Sequence, residues 1–470
     1  MGPIGAEATR RAAILLALYM EDIVADSGQW HAFSDLCKKI FGYHVPLYHD
    51  DEEYYPDEPS LDAVRFLIWM VMSEAKEADC IYPDAPQIEQ SGRRAFNILS
   101  RAFEEAPINE QLASDVQKLL DEATQGFNEL RGTMTWVFEH GYLTSGQRNT
   151  DLINLNLEDA ISAFKDEEGP EMSFGLASYY AITLCLFKYR IGPLALFVKD
   201  YLAAMMRVKG MEREADDVAA MEMLPMGHYK IDHVDASEYD DPSQKRLKLT
   251  RTNGREIEVK AEDLSFSEGD LEDIDGALAS SFVFYQNEWH LNGVLFPFPG
   301  FKEHWQELCD DDPENDKPGT TSLTPEMLLK RTGGRQIAYF VDKADLKSFL
   351  NKTIGIPDRL LGFVDKRESG MSTFFINTTK PRNNVEFLFS YTSCIADPDN
   401  PFYDQETAQE EAFDMVWDYN NISTDMVTFL LDRGFLPDVF NDRMVPQTDT
   451  DDQKSKDIDF LLRFYRRENY

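Results

Sequence analysis

Cysteine is scarce in this chain. Five thiols in 470 residues (Cys37, Cys80, Cys185, Cys309 and Cys394) are scattered, with no CxxC pair among them. That spacing excludes a disulfide framework and a cysteine zinc site, and it fits reduced thiols in a cytoplasm. Long apolar runs are missing as well. The longest stretch without a charge, Met172 to Phe187, is 16 residues, short of the about 20 that a membrane-spanning helix needs. Arg10-Arg11 ahead of AAILLALYM has the outline of a signal peptide. Glu21-Asp22 follow at once with no small-residue cleavage site, so an amphipathic first helix is expected instead. GxxxxGKS/T, HExxH and GxSxG are all absent, which removes the phosphate loop, the zincin helix and the nucleophile elbow.

Positive charge is also short. There are 46 Lys and Arg against 85 Asp and Glu, a formal net charge of −39. Such a surface repels nucleic-acid backbones and anionic membranes and favours either solubility or a basic protein partner. Hydrophobic residues make up 43% and aromatic residues 12%, enough to bury real cores. At about 150 residues per domain the length allows roughly three units.

Residues 1–225 read as a helical scaffold. Ser60 is a good N-cap, followed at helical spacing by Leu61, Val64, Ile68, Val71 and Met72. Phe66, Leu67, Trp69 and Met70 make that helix apolar nearly all round, so it should be central. Gly141 is expected to stop the helix carrying Trp136 and Phe138. Gly192-Pro193 separates an apolar helix from one whose first turn would hold Pro193.

Strands dominate residues 226–300. Leu247 and Leu249, then Ile257 and Val259, alternate with polar neighbours around Asn253-Gly254, which predicts a hairpin with a type I′ turn. SSFVFYQNEWHLNGVLFPF gives two aromatic strands folded back at Gln286-Asn287-Glu288. With Tyr229-Lys230-Ile231 in front, about five short strands suit a small barrel. The acidic stretch Glu262 to Asp275 separates the hairpins, and Cys309 to Thr321 reads as the main linker.

Over 318–395 the character changes. Between Glu326 and Arg382 eleven Lys and Arg face six Asp and Glu, a local excess of five positive charges. RQIAYFV, LLGFVD, STFFIN and NVEFLFS read as strands, and Ala344 to Thr353 as a helix, giving an α+β unit with an antiparallel meander. Residues 400–470 are helical again. Ile458, Leu461, Leu462 and Tyr465 form the apolar stripe of a final helix that should dock. The expected fold is therefore α+β and multidomain: a mainly helical N-terminal scaffold, a small β-barrel-like unit, an α+β unit and a helical tail.

Candidate binding residues are few. Tyr229, Phe282, Phe284, Tyr285, Trp289, Phe296 and Phe298 crowd one small β-unit, too many for its interior. Some must cover the neighbouring helices or form a recognition face, for which Tyr229, Tyr285, Trp289 and His290 are the candidates. Arg331 and Arg335 flank a Gly-Gly turn and could clamp a phosphate, although a plain helix-to-strand turn accounts for them. His228, Asp232, His233 and Asp235 are the densest His/Asp group, but the two histidines would face opposite sides of a strand, so no metal is expected. Cys394 has no downstream histidine to activate it. No catalytic residue and no cofactor is indicated.

FVFYQNEWHLNGVLFPF and CIADPDNPFYD resemble stretches of a bacterial family known only as a domain of unknown function. The resemblance implies helices around an inserted β-unit in a bacterial cytoplasmic protein, and it carries no functional residue. The expectation is a non-catalytic interaction protein whose acidic surface and aromatic β face hold a basic protein partner, away from nucleic acid and membrane. The alternative is a hydrolase with a site assembled from distant residues at a domain junction.

Overall fold

The first helices follow from how their ends are capped and which faces they bury. The computed structural model describes residues 5–49, 53–75, 81–165, 174–234, 246–260, 277–297, 304–311, 324–365, 372–377, 385–388, 392–417, 422–437, 451–467 and 470. The acidic separator Glu262–Asp275 lies outside the described residues; of the expected linker Cys309 to Thr321, Cys309 to Asp311 end a helix, Trp305–Asp311, and the rest lies outside them. Helix α1 (Ala6–Ala25) hands over to α2 (Gln29–Phe41) through the buried carboxylate of Asp22. Asp22 accepts from the backbone N–H of Gln29 and Trp30 (3.2 and 2.6 Å), from Ser27 Oγ and from Tyr142 OH (2.9 Å). Gly28 at the N-cap has no side chain, so Asp22 satisfies the helix start from a distance.

Helix α3 (Leu61–Glu74) starts as expected, with Ser60 Oγ accepting the Ala63 N–H at 3.0 Å. It is buried from Asp62 to Ser73. The charge inside that run, Arg65, is neutralised by Asp62, Asp84 and Glu89 at 3.6, 3.2 and 3.0 Å. Helix α4 (Pro86–Glu105) packs on α3 at Gly92, where a Cβ would lie 2.7 Å from Arg65 Cγ; only glycine allows that approach. Helices α5 (Glu110–Glu122), α6 (Phe127–His140), α7 (Gln147–Lys165), α8 (Phe174–Lys188), α9 (Val198–Val208) and α10 (Glu212–Ala219) complete the scaffold, with Gly141 ending α6. Pro193 does not open α9. Ile191 and Leu196 bond to each other across a tight turn with positive φ at Gly192 and Ala195, and α9 begins five residues after the proline, where Asp200 accepts the Phe197 N–H.

The β-unit closes on itself. Strands β1 (Glu222–Val234), β2 (Arg246–Arg251), β3 (Glu256–Lys260), β4 (Ala277–Tyr285) and β5 (Glu288–Leu291) pair in the order β1-β2-β3-β5-β4, and β4 returns to β1. The ring is antiparallel except at β3 and β5, which meet in parallel at Val259 and Trp289. β6 (Phe296–Pro297) adds to β4. Tyr229, Leu247, Leu249, Ile257, Val259, Leu278 and Phe282 fill the barrel, the inward set that period-2 alternation selects.

The turn at Asn253-Gly254 is not the expected type I′. At Asn253-Gly254 only Gly254 has positive φ, and the Gly254 N–H bonds to Arg251 O at 2.8 Å while Arg251 N–H bonds to Arg255 O. That is a three-residue loop, a type I turn closed by a glycine bulge. The type I′ geometry falls at Gln286-Asn287, both with positive φ, in the two-residue link between β4 and β5.

In the α+β unit β7 (Ile337–Phe340), β8 (Ser372–Ile376) and β9 (Val385–Leu388) form an antiparallel meander. LLGFVD is not a strand: it runs from a 3₁₀ turn at Asp358–Leu360 into a helical turn at Gly362–Asp365. Its buried residues, Leu361 and Val364, are three apart, and a short apolar run does not distinguish one helical turn from a strand. β8 is buried on both faces. Phe374 and Ile376 join a small core with Leu328, Leu346 and Leu350, while Phe375 faces the main helical core and stacks near Phe429.

The final helix, Asp451–Tyr465, docks as its stripe requires. Ile458, Phe460, Leu461, Leu462 and Phe464 are buried in the same core as α1 to α3. Trp69 is the hub, with its ring 4.8 Å from Phe464 and 5.8 Å from Phe460.

Candidate functional site

Docking of the final helix leaves a cavity of about 510 Å³ beside it. One wall comes from the end of α2 and the loop after it: Lys38, Phe41, Gly42, Tyr43, His44, Val45, Tyr48, His49 and Tyr54. Asp62 of α3 and Gln453 and Lys456 of the final helix complete the lining. The loop reverses sharply because Gly42 caps α2 in the left-handed conformation, its N–H on Lys38 O, and Leu47 also takes positive φ. Leu47 is anchored by burial of its side chain, which offsets the strain. The turn sets two Tyr-His pairs, Tyr43-His44 and Tyr48-His49, against the cavity.

His49 is held by its far wall. Its Nε2 lies 3.3 Å from Asp457 Oδ2, and Gln453 Nε2 lies 3.3 Å from its Nδ1. A glutamine amide donates, so Nδ1 accepts and Nε2–H faces the carboxylate. Asp457 is fully buried and also accepts the Tyr43 hydroxyl at 2.6 Å. The Tyr43 and His49 rings sit 4.7 Å apart. Both nitrogens of His49 are therefore engaged, and the group works as a clasp joining the loop to the final helix.

His44 differs. Its Nδ1 lies 3.0 Å from Ser34 Oγ, a fully buried hydroxyl on α2, and its ring stacks on Tyr54 at 4.4 Å and 19°. Tyr54 is fixed by Trp30 Nε1–H at 2.6 Å, and its phenol pKa is raised by burial. Among the described residues Nε2 of His44 has no hydrogen-bond partner. Burial, then the neighbouring Lys38, pushes the His44 pKa down, with Asp35 acting against them. A neutral imidazole with one open nitrogen results. Tyr48 forms the base of the wall, its hydroxyl on Pro83 O at 2.8 Å and its ring under Arg65 at 4.4 Å.

The residues singled out from sequence lie elsewhere. Tyr229 is inside the barrel, edge-on to Phe282 at 5.0 Å. Tyr285 is buried, and both it and the half-buried His290 cover Phe127 of α6, with the His290 ring 4.9 Å from it. Trp289 packs on Phe284 and Arg255. These contacts serve the barrel core and its packing on α6, as the cover of neighbouring helices would; Phe298 lies outside the described residues. Arg331 gives its guanidinium to Ile354 O, and Arg335 pairs with Asp399 at 3.1 Å. The glycine turn between them connects helix Pro325–Arg331 to β7. Arg335 does line a second cavity of about 330 Å³ with Tyr339 and Pro401, where Tyr339 OH donates to Asp397 at 2.8 Å. Cys394 is buried beside Glu411 at 3.9 Å. The side chains of Asp232 and His233, and all of Asp235, lie outside the described residues. Among the described residues no three His, Cys, Asp or Glu side chains come together as a metal cluster, and no helix is long and apolar enough to cross a membrane.

His44, His49 and Asp457 escaped the sequence reading. The doubled Tyr-His dipeptide was a signal available for the loop, and a lone Asp beside an apolar helical stripe was one for Asp457.

The chain matches the family described as Protein of unknown function (DUF3843) over residues 1–263 and 300–467, and it belongs to that family. The part left out of the match holds β4, β5 and β6; the pocket, the loop and the final helix lie within the matched residues. No curated protein and no solved structure matches the chain.

Proposed function

We propose that this family member binds a small polar molecule in the pocket between the loop after α2 and the final helix. The observation that carries this is a cavity of about 510 Å³ whose imidazole and phenol groups are already oriented by buried partners. Ligand pockets typically measure about 300–1,000 Å³ and hold a few fixed polar groups against aromatic walls. The walls are drawn from residues 38–62 and 453–456, which suits a site assembled at a junction of distant segments. A panel of sugars, nucleotides, amino acids and organic acids screened by thermal shift tests this. One class should raise the melting temperature of the wild type, by an amount equivalent to about 2.7 kcal/mol at a hundredfold excess over Kd. Lys38→Ala, an exposed lining residue, should weaken that shift. No shift from any class counts against the pocket.

A second reading, docking of a basic protein, draws on the charge of −39 and on exposed apolar side chains of packed helices: Ile14 and Leu18 on one face of α1, and Ile98 on α4. Recovery of a basic partner from the native host, lost in the double variant Ile14→Glu, Ile98→Glu, supports it; recovery unchanged by that variant removes it. Cys37 and Cys185 are buried thiols in no disulfide, and with the family resemblance they support a bacterial cytoplasmic location.

A further inference from the structure

We propose that His44 is the proton-transfer group of this pocket and that the substrate is a carboxylic ester, an inference that rests on the pocket being a ligand site. Of the two imidazoles lining the cavity, His49 has both nitrogens engaged by Asp457 and Gln453. His44 is tethered on one nitrogen only, through Ser34, and its ring plane is fixed by Tyr54. A general base needs this combination of a held ring and an open nitrogen.

The charged and titratable groups around His44 come from two elements. Asp35, Lys38 and His31 belong to α2, and Tyr54 to the loop before α3. Asp35 also pairs with His31 at 3.6 Å, so its field is shared between two imidazoles. Burial and Lys38 outweigh it and keep His44 neutral near pH 7.

The carboxylates of the cavity argue against glycoside chemistry. Asp62, the carboxylate in the lining, lies 3.6 Å from Arg65, and Asp457 is buried behind the lining against Tyr43 and His49, so neither provides the acid of a carboxylate pair. Ester hydrolysis asks for less. His44 Nε2 takes a proton from water as the water oxygen bonds to the acyl carbon. The carbonyl π electrons move onto oxygen, and the ammonium group of Lys38, which lines the same cavity, holds the oxyanion. When the carbonyl re-forms, the bond to the leaving alcohol breaks, and the imidazolium returns its proton to the departing oxygen. One water and one ester become an acid and an alcohol.

The full-length protein is assayed with p-nitrophenyl acetate and p-nitrophenyl butyrate, with p-nitrophenyl phosphate as a separate arm. Wild type should hydrolyse the carboxylic esters, and kcat/KM should rise with pH to a plateau through a single pKa below about 6.5. His44→Gln should lower kcat by about 10²–10⁴-fold with little change in KM, while Lys39→Ala, next to the pocket lysine but outside the lining, should leave it unchanged. Ser34→Ala, which releases Nδ1, should move the pKa of the profile. Equal rates in wild type and His44→Gln, or turnover of the phosphate ester alone, overturn the assignment. A thermal shift from the ligand panel without ester turnover removes the catalytic role and leaves the binding site; absence of both removes the two together.

Discussion

At the scale of single residues, His44 couples the site to pH. Its folded pKa is lowered chiefly by burial, so as pH falls the unfolded chain, with a histidine pKa of about 6.5, takes up a proton first. The stability associated with the neutral ring is complete above that value and is lost as pH falls toward the folded pKa. The urea midpoint should therefore drop between about pH 7.5 and 5 more steeply in wild type than in His44→Gln; parallel slopes would mean that the ring titrates normally. Asp22 makes a second residue-level test. Asp22→Ala leaves two backbone donors at the start of α2, Ser27 and Tyr142 without their acceptor. The expected loss is about 2–4 kcal/mol, read by urea unfolding, and a loss under about 0.5 kcal/mol would show that water replaces the carboxylate. In sequence Asp22 counted only as an acid following an apolar run. Its partners come from the next helix start and from residue 142, and no local pattern encodes them.

For elements, hydrophobic period was legible and turn chemistry only partly so. The alternation of β2 and β3 marked their inward residues, which lie as Leu249 opposite Ile257 and Leu247 opposite Val259. Asn-Gly marked the turn but not its type, because the Arg251 to Arg255 closure lengthens the loop by one residue. Gly254 still requires positive φ (83°), with open space where a Cβ would stand. Gly254→Val should cost about 1–3 kcal/mol through backbone strain alone, and Gly254→Asn should recover most of that; equal melting temperatures for all three would place the strain elsewhere. Leu360 to Asp365 was misread because its apolar residues carry no period over so short a run. The N-cap of α3 was readable since Ser60 acts on its own helix, and Ser60→Ala should lower stability by about 1 kcal/mol.

Across the whole molecule, the helical tail was legible as a docking helix but not as part of the first core. Its stripe says that it packs; only the fold says that it packs on Trp69, Phe66 and Phe41. The pocket went unread for the same reason, since its two walls are separated by nearly the whole chain. Phe464→Ala should cost about 3–5 kcal/mol and weaken ligand binding together with stability, because the void it leaves lies under the helix that carries Lys456 and Asp457. Unchanged urea unfolding would show that the helix is not integral to the core.

The shared core also bears on how the protein comes into being. The apolar surface of α3 leaves the ribosome early, and the helix that covers it begins 390 residues after Leu61, at Asp451. At a synthesis rate of about 5–20 residues per second, that is a wait of roughly 20–80 s. Throughout it the nascent chain presents Trp69 and Phe66 without their lid, a natural stopping place for a chaperone, and the scaffold reaches its native form only after the last helix has been made.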